Sequence, residues 1–176
     1  TYGAHKDFGY KDFIPMFKAE NFDAKNWISL FKRAGAKYIV PVAEHHDGFQ
    51  MYDSALSKWN AANMGPCRNV LGELSEEARK EGLVNGASTH RIEHWFFMGH
   101  GKEFESDITD KEEPSDFYWP AMPKRDHHDL FSEPAPTKEF LEDWMIRTCE
   151  LIDRYRVKEL YFDWWIQHAS AKPYLR

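Results

Sequence analysis

Three short runs hold most of the side chains able to do chemistry: Glu44-His45-His46-Asp47-Gly48-Phe49, His90-Arg91-Ile92-Glu93-His94-Trp95 and Asp163-Trp164-Trp165. Asp163 stands among Tyr161, Phe162, Trp164 and Trp165, where a carboxylate without partners is costly to desolvate. A structural Asp there would ordinarily cap a helix, and no helix start follows at once. The functional reading is a carboxylate held to attack or stabilise a cationic centre. His45 and His46 point to opposite sides if the chain stays extended and to the same side if it turns; Asp47-Gly48 favours a turn. Neutral imidazoles suit hydroxyl recognition or metal binding. Together with His90, His94 and Asp47 they make a set on which a metal-dependent hydrolase could be built. For each of these histidines the plain alternative is a hydrogen-bonded structural role. His127 and His128, in a proline-rich stretch, read as solvated.

The elements that must position these runs alternate. Asp23 can cap a helix whose apolar positions Trp27, Leu30, Phe31 and Ala34 follow helical spacing and which Gly35 stops. Lys37 to Glu44 is an apolar, β-branched run that reads as a buried strand. A polar loop runs from His45 to about Asn69. Asn69 can cap a second helix with Val70, Leu71, Leu74 and Ala78 inward and Gly82 at its end. Leu83 to Thr89 is a weaker strand. A proline-rich segment spans residues 96 to about 136, a length without regular structure that is uncommon unless functional or disordered. Thr137 can cap a third helix with Phe140, Leu141, Trp144, Met145, Thr148, Leu151, Ile152 and Tyr155 inward. Leu160 to Trp165 is the third strand. Helix–strand repetition predicts parallel units, in either a (β/α)8 barrel or a doubly wound sheet. No GxGxxG follows a strand, so the dinucleotide-binding version lacks its fingerprint. In either architecture the strand carboxyl ends carry the site, and all three reactive runs fall there.

Composition excludes several classes. Net charge is −6, with no basic stripe, which argues against a nucleic-acid partner. No apolar run approaches membrane-spanning length. Two cysteines, Cys67 and Cys149, make no disulfide framework and no CxxC zinc pair, and read as free thiols. The aromatic fraction, 16%, fits either a large aromatic core or stacking on sugar faces.

Taken in order, Phe22-Asp23 through Trp27, Ala34 to Tyr38, His45 to Phe49, Trp59-Asn60, Gly72-Glu73-Leu74, Gly86 to Trp95, Asp116 to Ala121, Trp144 through Tyr155 and Phe162 to Trp165 resemble the α-L-fucosidases of glycoside hydrolase family twenty-nine. A lone HHDGF is only suggestive; this many motifs in order is a strong signal. The resemblance implies part of a (β/α)8 TIM-like barrel, with residues 1–176 as a single partial catalytic domain. It implies a retaining double displacement with Asp163 as nucleophile. His45 and His46 would hydrogen-bond fucose hydroxyls, with His90, Trp95 and Trp59 in the same substrate-binding set. Trp164, Trp165 or Trp95 would wall the sugar's methyl group.

No metal and no cofactor are expected. The partner implied is a fucosylated glycan, without nucleic acid or membrane, and a homo-oligomer is compatible. The compartment expected from the family is secreted, periplasmic or lysosomal. The family's His-Trp-Gly strand would precede Thr1. Its acid/base glutamate would follow Arg176, with Glu93 as the alternative inside the chain. Two departures stand out. Cys67-Arg68-Asn69 replaces the family's frequent Lys-Arg-Asp, which loses a charge but keeps a cap. Glu44 replaces a frequent Lys before the His pair. A carbohydrate-binding remnant without turnover and a metal-dependent hydrolase are the competing readings.

Overall fold

The computed structural model describes residues 2–98, 105–108, 117–118, 135–163 and 166–176. In chain order the elements are α1 (Ala24–Arg33), β1 (Tyr38–Ile39), β2 (Val42–Glu44), α2 (Val70–Lys80), β3 (Val84–Thr89), α3 (His94–Phe97), α4 (Lys138–Tyr155) and β4 (Glu159–Phe162). Single-turn or longer 3₁₀ segments cover Tyr10–Met16, Arg91–Glu93 and Ala169–Leu175. The three long helices start where side-chain oxygens can satisfy free amides. Asp23 accepts from the Asn26 amide at 2.9 Å, Asn69 from Gly72 at 2.9 Å and Thr137 from Phe140 at 3.2 Å.

All strand pairs are parallel. β3 is the centre, with β1 and β2 along one edge and β4 along the other. The weaker run in the sequence is therefore the middle strand: Gly86, Ala87 and Ser88 lack bulk because neighbours close on both sides. A Cβ at Gly86 would stand 2.9 Å from the Ile39 carbonyl oxygen and 3.0 Å from that of Glu159. The Lys37–Glu44 run is not one strand. It breaks into β1 and β2 at Val40-Pro41, because proline has no N–H for the ladder. The Pro41 carbonyl still accepts from the Ser88 amide at 2.9 Å.

Period-2 alternation sends Ala43, Ala87 and Leu160 toward α2 and α4, where they pack with Leu71, Leu151 and Tyr155. The other face carries Tyr38, Val42, Val84 and Tyr161, all exposed. A second cluster joins α1 to α2 through Ala24, Ile28, Val70, Leu74 and Ala78. Here the apolar stripe of α1 differs from expectation: Trp27, Leu30, Phe31 and Ala34 are exposed. The small Ala24 and the neighbouring Ile28 give the closer approach to α2 and take the inner side. On α4, Ile152 is exposed and Arg147 is buried in its stead. The loop from His45 to Asn69 is likewise no loose polar segment. Gln50, Tyr52, Asn60 and Ala61 are fully buried, and Gln50 bridges to both Glu44 and Asn60.

Candidate active site

Sheet register builds the site. Glu44 pairs with Thr89, and Thr89 with Phe162. The next residue on each strand is therefore at the same level: His45, His90 and Asp163. His45 and His90 stack with ring centroids 4.5 Å apart. His90 Nδ1 lies 3.7 Å from Asp163 Oδ2. Asp163 ends β4 with its side chain 43% exposed, so its carboxylate is open to a ligand.

The turn after β2 adds His46. Gly48, at φ +91°, donates to the His45 carbonyl at 3.2 Å, and the Asp47 carboxylate accepts from the Phe49 amide at 3.0 Å. Burial raises the pKa of Asp47, partly opposed by that amide. The turn draws the rings of His45 and His46 to 4.1 Å. His46 is then gripped from three sides. Its ring stacks on Phe97 at 4.2 Å and 8°, its Nε2 meets Glu93 Oε2 at 2.6 Å, and His94 Nδ1 donates to its carbonyl oxygen at 2.5 Å. Glu93 and His94 come from the helical segment directly after β3.

Under the His loop lies a buried ionic network. Arg147 Nη1 donates to Glu44 Oε1 at 2.9 Å and Arg147 Nε to Asp143 Oδ2 at 2.8 Å. Arg91 Nη2 donates to Asp143 Oδ2 at 3.2 Å. It ties β2, the turn after β3 and α4 together just behind the reactive residues.

Of the residues singled out in the sequence, His45, His46, His90 and Asp163 converge. Trp59 and Trp95 do not join them. Trp59 is buried and stacks on Phe117 at 4.6 Å, and Trp95 is buried with Ile92, Phe140 and Trp144. As placed, neither offers a ring face to a sugar. Trp164 and Trp165 lie outside the described residues. His94 and Asp47, grouped above with a metal set, are engaged in the turn. Two groups still have metal-ligand spacing, their donor atoms within 4.8 Å: His45, His46 and His90, and His90, Glu93 and Asp163. Sequence reasoning undervalued Glu93 and missed Arg147 and Phe97. The spacing His90–Glu93, one helical turn, was the available signal for the first. A cavity of about 450 Å³ opens beside His45 and Asp47, lined by Tyr10, Phe13, Phe17, Phe49 and Phe117.

Desolvation, with repulsion from His46 and His90, lowers the His45 pKa to about 4 against the pull of Asp163. His45 is thus neutral at physiological pH. The unfolded chain takes up this proton near the ordinary histidine pKa and the folded chain only near 4, so this group costs stability as pH falls between the two values and nothing above them. The drop in urea midpoint from pH 7 to pH 4.5 is expected to be smaller in His45→Gln than in the parent protein. Equal drops would remove His45 as a cause.

The α-L-fucosidase family matches residues 1–175. Tissue α-L-fucosidase of Rattus norvegicus is 43% identical over 90 residues, 51% of this chain and 19% of that protein. Plasma α-L-fucosidase of Homo sapiens is 38% identical over 90 residues, again 51% of this chain and 19% of that protein. The crystal structure of Thermotoga maritima α-fucosidase superposes with a TM-score of 0.69 at 27% identity, covering 99% of this chain and 36% of that one. The chain thus spans about a fifth of its curated relatives and about a third of the solved structure. The fold is shared with fucosidases whose catalytic domain is a TIM barrel, and this chain supplies parallel βα units of it. With a family match along the whole chain and a carboxylate–histidine cluster on three adjacent strand ends, this chain belongs to the α-L-fucosidase family.

Proposed function

We propose that the protein releases terminal α-L-fucose from glycans by double displacement, with retention at the anomeric carbon. The observation that carries this is Asp163, half-open at the end of β4 beside His90, in a chain of this family. One Asp163 oxygen attacks the anomeric carbon as the bond to the leaving oxygen breaks, and a second carboxyl group protonates that oxygen. In the other half-reaction the same group deprotonates water, which displaces Asp163. The resemblance puts this second group beyond Arg176. Neutral His45, with His46 and His90, recognises sugar hydroxyls. The aromatic cavity beside His45 provides an apolar wall for the C6 methyl group that distinguishes a 6-deoxy sugar. The plasma fucosidase among the relatives supports a secreted compartment.

The test follows hydrolysis of an aryl α-L-fucoside by the full-length protein with proton NMR. The α-anomer of fucose is expected first. The β-anomer first would overturn the double displacement, and fucose binding without turnover would favour a binding remnant. The His45-His46-His90 spacing favours one rival, a metal-dependent hydrolase. A chelator arm separates it: turnover is expected to survive EDTA and dialysis. Loss of activity restored by stoichiometric zinc would promote the rival.

A further inference from the structure

We propose that Glu93 is a positioning residue, a buried carboxylate that sets the tautomer and orientation of the two imidazoles facing the sugar. The proposal rests on the fucosidase reading. Glu93 is 0% exposed. Its Oε2 lies 2.6 Å from His46 Nε2 and 3.3 Å from His90 Nδ1, so one oxygen lies within reach of both rings. A carboxylate accepts only, so it selects the Nε2–H form of His46 and leaves Nδ1 as an acceptor. His90 Nδ1 and Glu93 Oε1 are both buried without a hydrogen bond among the described residues. A small rotation of His90 would complete that contact; the same nitrogen also lies 3.7 Å from Asp163 Oδ2, so Glu93 and Asp163 face one edge of the ring. The ionic network beneath runs through Glu44 and Asp143.

A proton-donor role is the rival. Donor atoms of Glu93 and Asp163 lie within 4.8 Å of each other, not far from the roughly 5–5.5 Å between the carboxyl groups of a retaining pair. Burial and engagement with His46 argue against it, because an acid catalyst must reach the glycosidic oxygen. His46, itself stacked on Phe97, occupies Glu93 Oε2.

The two roles differ in what they do to leaving-group dependence. The full-length protein would be compared with Glu93→Gln and Glu93→Ala. Readouts are fucose affinity by calorimetry, kcat and KM for an aryl fucoside and for a fucosyl disaccharide, and nitrogen NMR of the histidine rings. For a positioning role, Glu93→Ala is expected to weaken fucose binding by about tenfold or more, with losses in kcat/KM alike for both substrates, since binding geometry and not proton transfer is damaged. Glu93→Gln keeps an acceptor oxygen and should lose less, while the His46 ring signals shift in both variants. Should Glu93→Ala fail to fold, Glu93→Gln still carries the spectral and leaving-group tests. A loss confined to the disaccharide would make Glu93 a proton donor and overturn the proposal. Unchanged fucose affinity and unchanged ring signals in Glu93→Gln would overturn it too. Failure of the fucosidase reading shows separately, as an unmutated protein that releases no fucose from either substrate.

Discussion

In the full-length protein, Asp163→Ala is expected to lower kcat for an aryl α-L-fucoside by at least about three orders of magnitude, a barrier increase of roughly 4 kcal/mol. The side chain is half-exposed and joins none of the buried clusters among the described residues, so the fold should survive; near-ultraviolet circular dichroism would check this. Among the described residues, its nearest polar neighbours include His90 at 3.7 Å and the Tyr161 hydroxyl at 3.4 Å. Neither is a carboxylate. Added azide fits the space left by the carboxylate and should restore turnover, yielding fucosyl azide of inverted configuration. A variant keeping more than about a tenth of the parent kcat, a barrier change under about 1.4 kcal/mol, would sink the assignment.

The largest loss of stability is expected from Arg147→Met. Glu44 is fully buried and its Oε1 accepts from Arg147 at 2.9 Å, with Arg91 Nε farther off at 3.8 Å. Removing Arg147 leaves a buried carboxylate under-compensated, which costs about 3–5 kcal/mol where a partner is lost from such a pair. Methionine nearly preserves volume, so the loss reports charge more than cavity. The reading is the urea midpoint at constant slope. A fall of less than about 1 kcal/mol would mean that Arg91 suffices for Glu44. The exposed Lys32–Glu81 pair, at 2.9 Å, is the control: Lys32→Ala should cost under about 1 kcal/mol because water and salt screen it. Since Glu44 immediately precedes His45, Arg147→Met should also weaken fucose binding.

Much of this could be read from residue order, and the failures have identifiable causes. Asp23, Asn69 and Thr137 cap where expected, because a cap needs only its own side chain and the amides two or three residues on. The inner face of α2 was likewise legible, since Val70, Leu71, Leu74 and Ala78 are its only apolar stripe. α1 has apolar residues on two sides, and local spacing could not say which side α2 would approach. Arg147 shares the 140–144–147–151–155 face of α4. Its charge hid it, because burial depended on a carboxylate 103 residues away.

The site divides the same way. Residue types and strand ends in the sequence determined that Asp163, His45, His46 and His90 would converge, because parallel strands deliver their carboxyl ends to one side. The Asp47-Gly48 turn, and hence the pairing of the two histidines, was also local. Tertiary structure alone decided the rest. Register across β2, β3 and β4 put His45, His90 and Asp163 at one level, a relation between segments that no single segment encodes. It buried Trp59 and Trp95, whose large apolar surfaces gain more from the cores they joined than from solvent. It also placed Glu93 beneath the imidazoles, since an acid can be fully buried only where partners from distant parts of the chain converge on it.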